Sequence, residues 1–95
     1  MNQKEKEILL IAQEECAEVT QAISKIFRFG MDAKHPNEDR NNRQRLEEEL
    51  GDLVCMIGLL MDQKIVNESN VEAAAGMKLK KLRTWSSIFA DEKTK

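Results

Sequence analysis

Four carboxylates stand where a soluble helix ordinarily carries apolar side chains. Glu15 and Glu18 lie three residues apart in one segment of helical periodicity, and Glu49 and Asp52 repeat that spacing in another. Residues three apart share a helix face, so each pair can close on a single ion. With Ile8 as origin, Glu15 falls at about 340°, inside the stripe of Val19, Ala22 and Ile26. Glu18 falls at its edge, at about 280°, and Glu14 points toward the polar side at about 240°. Counted from Leu46, Glu49 falls at about 300° and Asp52 at about 240°, both flanked by Leu53, Met56, Leu59 and Leu60. Gathered without a cation, adjacent carboxylates about 4 Å apart repel by roughly 4 kcal/mol at an intermediate dielectric. Such a group either takes up protons or binds metal. Oxygen-only ligation selects a hard cation, Mg²⁺ or Mn²⁺ where a phosphate and waters complete the octahedron. Glu5, Glu7, Glu47 and Glu48, by contrast, read as solvated charge or i, i+4 ion pairs.

Helices must position these groups, because strand and hairpin punctuation is missing: glycine is scarce, Pro36 is the one proline and tyrosine is absent. The apolar spacing predicts a first helix from Lys4 to Phe29, stopped by Gly30. The polar stretch 31–42, with Pro36 and several Asn and Asp residues, reads as a loop. A second helix is expected to begin at Asn41 or Asn42 and run to about Lys64, and a third to be capped by Ser69 or Asn70 and to continue to about Ala90. The last five residues, DEKTK, read as frayed and solvated. The expected fold is all-α, an antiparallel bundle of three to four helices forming a single domain over residues 1–95.

The second helix is apolar nearly all round: Leu46, Leu50, Leu53, Val54, Ile57, Leu60 and Met61 form one broad stripe, and Cys55, Met56 and Leu59 cover much of the rest. Three helices do not enclose such a surface, so oligomerisation is expected to complete the core, as a homodimer or homotetramer. Cys16 and Cys55, far apart and without CxxC spacing, read as reduced thiols serving as small core residues.

The segments EECAE at 14–18 and ELGD at 49–52 resemble the EExxE and ExxD motifs of the MazG-like all-α nucleotide pyrophosphohydrolases. SKIFRFG, the polar loop and RLEEELGDL are also similar to the small phage-encoded members, so the resemblance covers about positions 10–64. By position it implies Glu15, Glu18, Glu49 and Asp52 as metal ligands. It implies, too, a reaction in which a nucleoside or deoxynucleoside triphosphate is cut to the monophosphate and pyrophosphate. Bound metal would suit that chemistry by neutralising the triphosphate and activating water, and Glu14 or Glu18 is the candidate to take the water's proton.

Phosphate contacts are expected from Lys25, two turns beyond Glu18 on the same face, and from Arg28 one turn later. On the third helix Lys78 falls amid Ala75, Leu82, Trp85 and Phe89, where its stem either snorkels or meets a phosphate; Lys81 is a further candidate. Trp85 and Phe89 are expected in the core, with stacking on a base as the alternative, and Phe27 and Phe29 share that ambiguity. His35, alone beside Pro36, reads as neither ligand nor base. No helix carries Glu-x-x-His, which disfavours di-iron chemistry.

The net charge of −2, from 15 basic and 17 acidic residues, supplies no field for steering onto polymeric nucleic acid. No apolar run approaches the roughly 20 residues that span a bilayer, and a signal peptide's apolar core is missing, so a cytoplasmic protein without a membrane partner is expected. Two alternatives stand beside the enzyme: a helical nucleotide- or metal-binding module that does not turn over, and a protein-interaction module whose acids are merely solvated.

Overall fold

The computed structural model describes residues 1–93, with side chains through Asp91. Among the described residues four helices follow one another: α1 (Gln3–Phe29), α2 (Asn42–Asp62), α3 (Glu68–Trp85) and the single turn α4 (Ala90–Lys93). No β-strand occurs among the described residues, and the fold is all-α. The chain divides into two compact units, residues 1–65 and 66–95.

In the first unit α1 and α2 pack as an antiparallel pair. Ile8 and Ala12 near the start of α1 meet Met56 toward the end of α2, with Ile11, Leu60 and Ile65 packed around them. At the opposite end the Asn42 side chain donates to the Gly30 carbonyl and Arg43 N–H donates to Met31 O, holding the start of α2 beside the end of α1. Both helices begin with a reciprocal capping box: Asn2 with Glu5, and Asn41 with Gln44. Each box satisfies two otherwise orphaned backbone donors. Glu5 is therefore a capping residue rather than plain surface charge.

Gly30 ends α1 at φ 99°, a conformation open to glycine at little cost. The end of α2 also takes a positive φ, without glycine. Lys64 sits at φ 58°, its N–H donating to Met61 O while Ile65 N–H donates to Leu60 O. These are the two bonds of a Schellman motif, sealed by the apolar contact of Leu60 and Ile65 with the core.

The loop between the helices is more ordered than its composition suggests. Lys34 and Asn41 form an antiparallel bridge. Glu38 accepts a hydrogen bond from Arg45 on α2 at 3.1 Å and pairs with Arg40, which also bonds Glu48. Partial burial pushes the Glu38 carboxyl up, but the Arg45 charge and the hydrogen bond from Arg40 outweigh it and hold the group below its ordinary value.

In the second unit the cap of α3 is Asn67, whose side chain accepts from Asn70 N–H. The expected caps Ser69 and Asn70 lie inside the first turn instead. α3 also stops at Trp85, not Ala90: Ser86 is extended at ψ 155°, and its hydroxyl accepts from Ile88 N–H, a local bond that competes with helix. Trp85 is 85% exposed, so its expectation as core fails at this helix end, whereas Phe89 is half-buried under the Arg83 guanidinium. Cys16 and Cys55 are free but exposed, not core. Each lies off the seam where Ile8, Ala12, Ala22 and Met56 are buried. Of the C-terminal residues expected to fray, Asp91 lies in α4, and Thr94 and Lys95 fall outside the described residues.

Candidate metal centre

The antiparallel register brings the middle of α1 against the first half of α2, and three of the four embedded carboxylates meet there. Glu15, Glu49 and Asp52 each offer an oxygen within 4.8 Å of the other two. Glu15 and Glu49 are half-buried, and Asp52 is exposed. Glu18 is exposed and stands outside this close trio, although its charge reaches Glu15. Glu14 is exposed as well.

The trio behaves as crowded negative charge. Partial burial, followed in falling order by the charges of Asp52, Glu49, Glu18 and Glu14, pushes the Glu15 carboxyl above its ordinary value. Among the described residues, no Lys or Arg pairs with any member of the trio; the ion pairs of this unit join Arg40, Arg43 and Arg45 to Glu38, Glu48 and Asp32. Oxygen donors from two helices, close enough to share one cation and lacking a basic partner, fit a hard divalent ion. The chain thus holds a suitable acidic cluster; the donor set alone does not choose between Mg²⁺ and Mn²⁺.

The other expected site residues are not members of this trio. Lys25 is exposed and lines a cavity at the loop end of the helix pair. Arg28 is exposed with its guanidinium 4.9 Å from the Phe29 ring centroid, which engages it in a cation–π contact. Lys78 and Lys81 are exposed on α3, in the second unit. His35 is held in the loop, its Nδ1 accepting from Asn37 N–H.

The alignment of Lys25 with Glu18 expected on α1 has a counterpart on α2, whose signal is also present in the sequence. Glu15, Glu18, Ala22, Lys25 and Phe29 follow at steps of three and four along α1, and Asp52, Glu49, Arg45 and Asn42 do so in reverse along α2. Each helix therefore carries acids and then bases along one face. Arg45 lies about 6 Å along the axis from Glu49, and Lys25 about 10 Å from Glu18. Ala22, buried between acids and bases, keeps the two helices close.

A family model described as the MazG nucleotide pyrophosphohydrolase domain matches residues 3–85. Searches of curated proteins and of solved structures gave no match. Among the described residues, no helix is long and apolar enough to cross a membrane.

Proposed function

Because the chain belongs to the MazG nucleotide pyrophosphohydrolase family, we propose that it hydrolyses nucleoside or deoxynucleoside triphosphates to the monophosphate and pyrophosphate, with Mg²⁺ held by Glu15, Glu49, Asp52 and Glu18. The observation that carries this reading is the meeting of Glu15, Glu49 and Asp52 within 4.8 Å without a basic partner. Mn²⁺ is the expected substitute, since it also accepts octahedral oxygen ligation.

When bound, the cation neutralises phosphate charge and lowers the pKa of coordinated water. The chain's own part is to hold the four carboxylates on two rigid helices and to accept a proton. Attack of the water oxygen on the α-phosphorus forms one P–O bond and breaks the bond to the β-phosphate, so pyrophosphate leaves. The proton released from water passes to a carboxylate not fully used in ligation, for which the exposed Glu14 and Glu18 are the candidates. Lys25, Arg28, Lys78 and Lys81 are assigned to substrate phosphates. A cytoplasmic setting accords with the free thiols of Cys16 and Cys55.

We further propose a homodimer or homotetramer, because Phe27 at 86% and Val54 at 66% exposure leave large apolar side chains in water. The deciding experiment is incubation with a panel of NTPs and dNTPs, with and without Mg²⁺, quantifying monophosphate and pyrophosphate separately. Equimolar release of both with one substrate class, abolished by chelation, is the expected result. Orthophosphate release, or no turnover despite metal binding, would sink the assignment and leave a non-catalytic binding module.

A further inference from the structure

Arg45 stands one turn before Glu49 on α2, at the i, i+4 spacing where a base and an acid ordinarily pair. Among the described residues that pair is not made. The Arg45 guanidinium instead donates from Nη1 to Glu38 Oε1 on the loop, at 3.1 Å. Glu48, the other acid within helical reach of Arg45, is taken by Arg40. Arg45 and Glu38 are both half-buried, so their contact is screened less than a surface pair. Glu38 is also fixed through its backbone: its N–H donates to His35 O at 2.9 Å, and the Lys34–Asn41 bridge ties together the two ends of this stretch.

The consequence falls on Glu49. A guanidinium keeps its charge throughout the accessible pH range and grips carboxylates as a fork, so an Arg45 released from Glu38 would compete with a cation for the Glu49 oxygens. Glu15 and Asp52, close beside Glu49, strengthen the pull on any positive charge there. We propose that Glu38 is a positioning residue for the metal centre: by holding Arg45 on the loop, it keeps Glu49 free for the cation. The proposal rests on the trio being the metal site and adds to it a loop carboxylate that is not a ligand.

The test is calorimetric titration of the full chain with Mn²⁺ alone, without nucleotide, so that affinity is read apart from turnover. Glu38→Gln should weaken Mn²⁺ by about fivefold, between the value of an exposed i, i+4 pair and that of a charge-assisted contact. Adding Arg45→Met to that variant should restore the wild-type affinity, and Arg45→Met by itself should bind Mn²⁺ at least as tightly as the wild type. A merely structural role for the pair gives the opposite pattern, in which both single variants weaken the metal and the double variant does not recover. The control is Asp32→Asn, which releases Arg43, whose i+4 neighbour is Glu47 outside the trio; its affinity should be unchanged. In the metal-free Glu38→Gln protein, the Arg45 side-chain N–H resonance should move when Glu49→Gln is added, whereas in the wild-type background it should stay in place. No saturable Mn²⁺ binding by the wild type would remove the metal centre and this proposal with it. Undiminished binding by Glu38→Gln, or no recovery on adding Arg45→Met, beside a wild type that binds normally, would overturn the proposal alone. Should circular dichroism show that Glu38→Gln loses its helices, Arg45→Met decides, and weaker binding than the wild type overturns the proposal.

Discussion

A carboxylate oxygen of Glu15 on α1 lies within 4.8 Å of one from Asp52 on α2. After partial burial, the Asp52 charge is the largest cause that raises the cost of ionising Glu15. A contact of this kind is unfavourable in the bare protein and becomes favourable when a cation enters, so function and stability should respond to it with opposite signs. Glu15→Gln, Glu49→Gln and Asp52→Asn keep size and remove one charge. Each should lower pyrophosphate release by about a hundredfold or more, while the melting temperature of the metal-free protein stays level or rises. Glu18→Gln should lose activity too, but with less gain in stability, since it stands outside the close trio. Glu47→Gln is the appropriate neutral control. Glu48 is not, because it pairs with Arg40. Full activity in the trio variants, measured beside the control, would remove the metal centre.

The pH dependence follows from the same contact. The folded-state pKa of Glu15 lies above its unfolded value, so the folded protein binds more protons through that interval. The associated stability is present below the unfolded value and is lost as pH rises through the folded one. Glu38 is shifted down, and its contribution is present above its unfolded pKa and lost as pH falls through the folded one. The two oppose each other on the acid side of neutrality. With Glu38→Gln and Arg45→Met combined, the Glu15 effect should stand alone, and the metal-free melting temperature should rise on acidification from neutrality toward the ordinary carboxylate range. Adding Mg²⁺ should reverse that slope, because proton and metal compete for one carboxylate. Thermal melts across this pH range, with and without metal, check both signs.

Assembly should be visible in dilution. Burial of large apolar side chains such as Phe27 and Val54 would contribute about 1.5–3 kcal/mol each, against a substantial association cost. Sedimentation is expected to show a dimer or larger species at micromolar concentration, with a melting temperature that rises with protein concentration. Val54→Lys should shift that equilibrium toward monomer. A monomer throughout the accessible range would rule the assembly out.

Lys64 offers a test of the fold that touches no functional residue. Its left-handed conformation, with φ 58°, costs an L-residue roughly 1–2 kcal/mol. Lys64→Gly removes that strain and returns about 0.4–1 kcal/mol through the freer unfolded chain. A net gain of roughly 0.5–1 kcal/mol in denaturant unfolding is expected, with activity unchanged. A loss of stability would mean that the Schellman turn is not the conformation held in solution.

Much of this was legible in the sequence, for local reasons. Periodicity and the asparagines before each helix fix α1 and α2 almost to the residue, since capping and amphipathicity depend on neighbours three or four positions away. The same spacing marks Glu15, Glu18, Glu49 and Asp52 as acids out of place. It does not rank them: only the antiparallel register decides that Glu15 meets Glu49 and Asp52 closely while Glu18 stands aside. Register decided the cavity as well, by bringing Lys25 of α1 and Arg45 of α2 into one lining. Competition at short range misled where two local signals were nearly equal. Asn67 takes the cap of α3 from Ser69 and Asn70, and the Ser86 hydroxyl stops the helix before Ala90. The thiols of Cys16 and Cys55 look apolar in sequence, yet they lie exposed because a helix pair buries one seam and leaves the remaining faces outside it. Sequence sets which faces are apolar and which residues cap; which faces meet depends on long-range packing, which no short window of residues contains.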